Sequence, residues 1–415
     1  MSKHIVFVEM SMTGAGEKAI QYALEQGYQV TLVAKDPKRY ASANIGSTAL
    51  FVCDTNDLDA LGKGIKELHE AKAIEGITTT ADFYVPQASY AAEILGLISI
   101  PYKDARSARN KYLMRLRLQE SCPHLNPAFA LVQSIEEARH FAERHGYPLI
   151  AKPQDGNDSL NVNLINDEQE LADYIKESQA WAVNSSGQRY AEGVLLEQFI
   201  EGEEYSVETV QHKKQAIQCI GVTGKVLTGV DRGFFVEEGV FFPVRTEQTE
   251  HLFQEVSLAL KELNIDCGVI HTECRVHNGA VKILEINPRL MGDMAGSHMI
   301  ELALGASPIQ QVVEIALGND EALWNPTKNK GAAMYGSLSP KTGVFGGIEN
   351  LSAIQKIDGV HAVKVIASEG GHYQFPPKSN GDILLRLVTE AETPEEALEI
   401  AETAAKTAVF KFLAD

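Results

Sequence analysis

Strand and helix patterns alternate through the first hundred residues, and this alternation constrains the fold more than any other feature of the chain. Short apolar runs at 4–8, 29–34, 49–53 and 74–78 predict strands, while 17–26 and 85–95 have the composition of helices. Strands that alternate with helices favour a parallel sheet with helical crossovers. We therefore expect residues 1–108 to form a Rossmann-like domain of the α/β class.

The remaining residues mix strands and helices in a pattern typical of α+β units. Between 109 and 195, two capped helices flank the apolar strand 149–153. Residues 196–325 combine strands and glycine-containing loops with a helix over 250–263 and a hairpin over 269–287. Residues 326–415 carry two further strands and a long helix that begins at Thr393. Four units with boundaries near 108, 195 and 325 fit a chain of 415 residues.

Charge and composition exclude several classes of protein. The formal net charge of −19 would repel a phosphate backbone, so we expect no nucleic-acid partner. No apolar run approaches 18 residues, so we expect no membrane span. The N-terminal residues lack the apolar core of a signal peptide, and the five cysteines are odd in number and lack CxxC spacing. These features predict a cytoplasmic protein with reduced thiols.

The strongest chemical pattern is Val-Lys-Ile-Leu-Glu-Ile-Asn-Pro-Arg at 281–289. Glu285 and Asn287 are two apart in a predicted strand, so their side chains share one face at a spacing of about 6–7 Å. Glu273 lies on the preceding strand. Carboxylate and amide oxygens suit hard cations such as Mg²⁺. These three residues are the candidate metal ligands, and Arg289 follows where the chain leaves the sheet.

The turn of this hairpin decides whether Glu273 joins the other ligands. With a two-residue Asn278-Gly279 loop, Glu273 would oppose Leu284 and face away from Glu285. A three-residue loop that includes His277 shifts the register by one and places the two carboxylates diagonally on one face. We predict the three-residue loop.

Lys152 is a second candidate, because it stands in the apolar strand Leu-Ile-Ala-Lys-Pro at 149–153. A lysine inside an apolar strand is costly unless its ammonium meets an anion. The polar loop 155–159 that follows could lay backbone N–H groups over phosphates. The alternative is a lysine at a strand end that extends its ammonium to water.

Residues 194–208 are a third candidate, with an apolar strand, a turn and a second strand in succession. Backbone groups near 197–199 could pair with the edge of adenine, and Glu204 could accept hydrogen bonds from ribose hydroxyls. Many surface hairpins have this composition, so the segment indicates a nucleotide site only together with the other motifs.

A competing pattern follows the first strand. Residues 14–19 have the G-x-G-x-x-A form of a dinucleotide site, and Asp36 follows the second strand. An NAD(P)-dependent dehydrogenase is therefore an alternative to a Rossmann-like turn that serves helix packing alone. The histidines at 124, 271 and 298 are scattered, and we expect core or surface residues rather than a metal site.

Taken in order, these motifs resemble the ATP-grasp superfamily over nearly the whole chain. The resemblance implies an ATP-grasp fold of mixed α/β and α+β class, with a Rossmann-like N-terminal domain, a mobile lid subdomain and a small C-terminal domain. It assigns the following residues to ATP: Lys111, Lys152, Gly156, Ser159, Glu197, Gln198, Phe199, Ile200 and Glu204. Glu273, Glu285 and Asn287 would hold one or two Mg²⁺ ions, for which Mn²⁺ can substitute. Arg289 would be the catalytic residue that stabilises the transferred phosphoryl group.

Within the superfamily, the chain is most similar to bacterial L-amino-acid ligases, which form dipeptides. The segments 233–243 and 287–294 are similar to their substrate loops. Asn161 stands where many members have a glycine in the phosphate loop, and Val240 stands where a histidine is expected. The expected substrate contacts are Asp231, Glu237 and His298.

The reaction that the resemblance implies is the ATP-dependent coupling of a small carboxylate to an amine through an acyl phosphate, with release of ADP and phosphate. A lid over 115–195 would close on the nucleotide and keep water from the acyl phosphate. A homodimer is expected, because members of the superfamily are commonly dimers. Two other interpretations stay open: a carboxylase or ligase of the biotin-carboxylase or purine-pathway type that activates bicarbonate or formate, and an ATP-binding regulatory module.

Overall fold

A computed structural model describes residues 2–213, 215–319 and 324–413. Within these ranges, no helix is both long and apolar enough to cross a membrane.

The first hundred residues form the predicted parallel sheet. Its elements are β1 (His4–Val8), α1 (Ala15–Glu25), β2 (Gln29–Ala34), β3 (Ala49–Val52), α2 (Leu58–Ala71), β4 (Gly76–Thr78) and α3 (Val85–Glu93). The strands pair in parallel in the order β3-β2-β1-β4. Every side chain of β1 is buried, as expected of a parallel strand covered on both faces. The loops 10–13 and 80–83, after β1 and β4, reach one cavity.

The next part is a small antiparallel sheet with its own apolar core. Its elements are α4 (Tyr102–Arg109), α5 (Lys111–Ser121), β5 (Phe129–Val132), α6 (Ile135–His145), β6 (Leu149–Pro153), β7 (Asn163–Ile165), α7 (Glu168–Ser178) and β8 (Val194–Gln198). The strand order is β5-β8-β6-β7. Ser134 and Asp167 cap α6 and α7 through their side chains, as predicted.

The largest sheet has eight strands and continues into the C-terminal part of the chain. Its first section comprises β9 (Glu203–Gln211), β10 (Gln218–Thr228), β11 (Val236–Phe242), α8 (Thr249–Glu262), β12 (Gly268–His277), β13 (Ala280–Asn287), α9 (Ile300–Leu304) and α10 (Pro308–Ala316). The C-terminal elements are β14 (Gly331–Leu338), β15 (Gly343–Ile348), α11 (Leu351–Ile354), β16 (Val360–Val365), β17 (His372–Tyr373), β18 (Ile383–Ala391), α12 (Pro394–Lys406) and β19 (Phe410–Phe412).

The order of this central sheet is β13-β12-β9-β10-β11-β14-β18-β16. Strands β14, β16 and β18 extend it, while β15, β17 and β19 form a separate three-stranded sheet. The units predicted at 196–325 and 326–415 therefore share one sheet. Helix α12 packs on β14 and β18. It begins at the predicted position, with a capping box formed by Thr393 and Glu396.

The hairpin of β12 and β13 differs from the prediction. His277 pairs with Ala280, so the loop has two residues and the predicted three-residue loop is wrong. Asn278 and Gly279 have φ values of 50° and 78°, as a type I′ turn requires. Glu273 nevertheless pairs directly with Glu285, because the register shifts just beyond this pair and leaves one residue of β13 unpaired. This β-bulge, rather than the loop, places both carboxylates on one face.

Candidate active site

A cavity of about 550 Å³ lies between the loops after β1 and β4, the lid sheet β5–β8 and one face of the central sheet. Residues that pair across antiparallel strands share a face. The central sheet therefore presents a strip of charged and polar side chains to the cavity. The strip comprises Glu204, Lys225, Glu237, His271, Glu273, Arg275, Glu285 and Asn287.

The predicted metal ligands Glu273, Glu285 and Asn287 all line this cavity. They lie within two strand positions of one another on the same face. Lys225 Nζ is 2.9 Å from Glu273, and Lys111 Nζ is 2.9 Å from Glu285. Among the described residues, no three His, Cys, Asp or Glu side chains are gathered as a metal site. The pair of carboxylates with one amide oxygen is a donor set that fits Mg²⁺.

Lys225 on β10 was missed by the sequence reasoning. Its side chain is 3% exposed, and Nζ lies 2.9 Å from Glu237, 2.9 Å from Glu273 and 3.4 Å from Glu204. Burial disfavours the ammonium, but the three carboxylates outweigh burial and raise the pKa of Lys225 well above its ordinary value. The signal that could have found it is the one used for Lys152, a lysine within a largely apolar strand.

His271 connects two carboxylates of the same face. Nδ1 is 2.8 Å from Glu208 and Nε2 is 3.1 Å from Glu273. Burial alone would lower the pKa of His271, but the carboxylates of Glu208 and Glu273 outweigh burial and raise it to about 9. The residue is buried, and it also holds a candidate metal ligand.

Glu197 on β8 is buried between two cations. Lys152 Nζ lies 2.8 Å from Glu197 Oε2, and Arg115 Nε lies 2.7 Å from Oε1. Burial alone would raise the pKa of Glu197, but the two cations hold it at about 2. Lys152 is therefore buried beside an anion rather than extended to water. Arg115 was missed, because nothing in the sequence distinguishes it from Arg117 on the same helix.

The segment 198–200 lines the cavity beside the end of β8. Arg275 Nη1 donates to the carbonyl of Ile200 at 2.8 Å, and Nε donates to Glu204 at 3.0 Å. The guanidinium carbon of Arg275 is 5.1 Å from the centre of the Phe199 ring. An aromatic ring, backbone groups and a carboxylate thus surround one end of the cavity, an arrangement suited to a planar base and a hydroxylated sugar.

The loop after β6 brings Gly156 and Ser159 to the cavity. Asp158, Ser159 and Asn161 have φ values of 54°, 54° and 60°, which side-chain-bearing residues adopt only rarely. Asparagine is enriched in this left-handed region. This explains how Asn161 can stand where the resemblance expects glycine. Lys111 Nζ donates to the carbonyl of Gly156 at 3.0 Å and so ties the loop to α5.

Arg289 is held at the other end of the cavity. Its Nε is 3.0 Å from Asp82 and its Nη1 donates to the carbonyl of Leu290 at 2.9 Å. Asp82 also pairs with Arg109 at 3.1 Å. Burial would raise the pKa of Asp82, but the two arginines keep it at about 2. Asp82 was missed, because its partners are distant in the chain.

Two of the three predicted substrate contacts lie away from the cavity lining. Asp231 is exposed in the turn Val230–Arg232. His298 pairs with Ser297 Oγ at 2.8 Å, in the helical turn Ala295–Met299. Glu237 does line the cavity. Val240 is fully buried in the core.

The glycine turn before α1 packs closely against the protein. A Cβ at Gly14 would lie 3.1 Å from Ser297 Oγ, and one at Gly16 would lie 2.5 Å from the carbonyl of Ser11. Gly14 also has a φ of 121°, which favours glycine. Helix packing therefore accounts for both glycines without a dinucleotide.

Models of three protein families match this chain in consecutive segments. The ATP-grasp N-terminal domain matches residues 20–97, the ATP-grasp domain matches 145–298 and the L-amino acid ligase C-terminal domain 2 matches 337–412. The chain belongs to the ATP-grasp superfamily. The predicted family is thereby confirmed, as is the prediction of an ATP-dependent ligase of the carboxylate–amine class. ATP-grasp enzymes use ATP and Mg²⁺.

Individual ATP-grasp proteins are similar over different shares of their length. The L-arginine-specific L-amino acid ligase of Bacillus subtilis is 24% identical over 341 residues, which cover 80% of this chain and 79% of that protein. The carbamoyl phosphate synthase large chain of Caldanaerobacter subterraneus is 26% identical over 251 residues, which cover 59% of this chain but only 20% of that protein. The crystal structure of L-amino acid ligase from Bacillus licheniformis matches with a TM-score of 0.82 at 21% identity, over 100% of this chain and 99% of that chain. The predicted ATP-grasp fold is therefore confirmed.

Proposed function

We propose that this ATP-grasp protein is an L-amino-acid ligase, which activates the carboxylate of one amino acid with ATP and joins it to the amino group of another. The observation that carries this proposal is the gathering of a Mg²⁺-suited donor set and three buried ammonium groups around one cavity. The groups concerned are Glu273, Glu285, Asn287, Lys111, Lys152 and Lys225. The similarity to an L-arginine-specific L-amino acid ligase over most of both chains supports amino acids as the substrate class.

The nucleotide would lie between the lid sheet and the central sheet. The segment 198–200 would contact the base, and Glu204 would accept hydrogen bonds from the ribose. Lys152 and Arg115 share the single carboxylate of Glu197, so this region carries an excess positive charge that favours the phosphates. Lys111 would approach the same phosphates from α5, beside the loop at Gly156.

The side chains of this face fit a divalent metal. Glu273 and Glu285 are directly paired across the hairpin, and Asn287 follows two positions later on the same face. These three residues would hold one or two Mg²⁺ ions. When bound, Mg²⁺ would neutralise charge on the phosphate oxygens.

The chemistry follows from the groups at the Arg289 end of the cavity. An oxygen of the substrate carboxylate attacks the γ-phosphorus of ATP, the bond to the bridging oxygen breaks, and an acyl phosphate and ADP form. Arg289, oriented by Asp82, donates N–H groups to oxygens of the phosphoryl group and the carboxylate. The amine nitrogen then attacks the acyl carbon and loses a proton, the C–O bond to phosphate breaks, and an amide and inorganic phosphate result.

A phosphate-release assay with ATP, Mg²⁺ and pairs of L-amino acids tests this proposal. We expect release that depends on particular amino acids, and a product whose mass is that of the pair less one water. Arg289→Ala should lower release by about 100- to 1,000-fold, whereas Arg245→Ala, which removes an exposed arginine hydrogen-bonded to Asn329, should retain it. Bicarbonate-dependent release without amino acids would refute the proposal in favour of a carboxylase. ATP binding without release across the panel would refute it in favour of a regulatory module.

A further inference from the structure

Arg115 lies outside the cavity lining, yet it contacts both halves of the proposed ATP site. Its side chain is fully buried. Nε donates to Glu197 on the lid sheet at 2.7 Å. Nη1 donates to the carbonyl of Ile283 at 2.6 Å, and Nη2 donates to the carbonyl of Leu284 at 2.9 Å. Asn126 Oδ1 accepts a longer hydrogen bond of 3.4 Å from Nη1, and Asn126 Nδ2 donates to the backbone carbonyl of Arg115 at 2.8 Å.

The two carbonyls belong to the bulge in β13. Consecutive carbonyls of a regular strand point to opposite edges, so one guanidinium could not donate hydrogen bonds to both. Here the bulge leaves Leu284 without a partner on β12 and turns both carbonyls toward α5. Buried carbonyls without partners are rare because they are costly. The fork of Arg115 therefore supplies the hydrogen bonds that this bulge needs.

The bulge matters because it sets the face of Glu285. The hairpin loop has two residues, and with an unbroken register Glu273 would oppose Leu284. Glu285 would then point to the opposite side of the sheet, since side chains alternate along a strand. The two carboxylates share the cavity only while the bulge persists.

We propose that Arg115 is a positioning residue that holds the β13 bulge and thereby presents Glu285 beside Glu273 to a divalent cation. Arg115 also pairs with Glu197, which in turn pairs with Lys152, so it links the β13 bulge to the lid sheet. The inference rests on the proposed function, because it needs a metal–nucleotide site in this cavity.

Arg115→Lys separates this role from charge alone. A lysine keeps the positive charge beside Glu197 but lacks the planar fork that reaches two carbonyls. We expect Mn²⁺ binding in the presence of ADP, measured by electron paramagnetic resonance, to weaken by about 10- to 100-fold, as is usual when a group that orients a metal ligand is lost. Metal-free ADP binding, measured by calorimetry, should change little. The matched control is Arg117→Lys on the same helix, whose arginine pairs with Asp104 away from the site and whose substitution should leave Mn²⁺ binding unchanged.

Equal Mn²⁺ binding by Arg115→Lys and the wild type would overturn the inference while leaving the proposed function intact. So would an equal loss of Mn²⁺ and metal-free ADP binding, which is the result of general structural damage. Failure of the wild type to bind Mn²⁺ with ADP would instead remove the proposed function, and this inference with it. Asn126→Ala loosens the guanidinium without removing it, and it should weaken Mn²⁺ binding in the same direction by a smaller factor, even if Arg115→Lys does not fold.

Discussion

Replacement of Lys225 by methionine removes a buried ammonium from among three carboxylates and should destabilise the protein. Glu237 and Glu273 each lose a partner at 2.9 Å, and Glu204 loses one at 3.4 Å. Arg275 remains beside Glu204 and His271 beside Glu273, so Glu237 is left with the largest uncompensated charge. Removal of one partner from a buried ion pair costs about 3–5 kcal/mol. With the usual unfolding entropy per residue, this corresponds to a fall in Tm of about 3–6 °C if the chain unfolds as a unit.

The size of this loss should depend on pH. Burial raises the pKa of Glu273, but Lys225 and His271 lower it well below its ordinary value. A depressed carboxylate pKa contributes stability that is present above the unfolded value of about 4.3 and is lost as the pH falls through the folded value. In Lys225→Met the pKa of Glu273 rises, so protonation relieves the unpaired charge. The difference in Tm between the two proteins should therefore be largest at neutral pH and shrink as the pH falls toward about 4.

Thermal scans of both proteins across this pH range test the reasoning. The matched control is Lys35→Met, because Lys35 pairs with Asp54 at 2.9 Å with both side chains 45% exposed. Exposed pairs contribute about 0–1 kcal/mol, so this control should shift Tm by about 1 °C or less. If Lys225→Met has the same Tm at neutral pH as the control, the assigned ion pairs are refuted. If the difference in Tm between Lys225→Met and the wild type stays constant with pH, the link of these ion pairs to Glu273 is refuted.

Three further predictions concern the same cavity. Arg289→Ala should lower phosphate release by about 100- to 1,000-fold, the usual loss for one donor to a transition state, while calorimetry still detects ADP binding. Asp82→Asn should lower kcat with little change in the KM for ATP, because it frees Arg289 without touching the nucleotide site; an unchanged kcat would contradict this role. His271 has a folded pKa raised to about 9, so its contribution to stability is full below about pH 6.5 and is lost as the pH rises through 9. Thermal scans should show the Tm of the wild type falling toward that of His271→Gln over this range, and parallel curves would contradict the assignment.

The fold and many residues of the candidate site could be predicted because their signals are local. The alternation of strands and helices predicted the parallel sheet, and the cap residues predicted where α6, α7 and α12 begin. Glu285 and Asn287 share a face simply because they are two apart in one strand. Asp231 and His298 were placed in the site by resemblance alone, and no local pattern marked them as facing the cavity.

The hairpin shows where local reasoning failed. Asn278-Gly279 is a common two-residue turn, and the sequence contains no mark of a bulge five residues later. We propose above that the bulge depends on Arg115, whose guanidinium on helix α5 donates hydrogen bonds to the carbonyls of Ile283 and Leu284.

The amino-acid sequence by itself determined the order of the elements, the superfamily and the shared face of Glu285 and Asn287, since each of these follows from periodicity or from short motifs. Only the tertiary structure decided how the charges are paired. Lys225, His271, Asp82 and Arg115 each have a partner on a strand or loop that lies far away in the chain, and burial makes those pairings strong. Their roles depend on distance and exclusion of water, and neither quantity exists until the chain has folded.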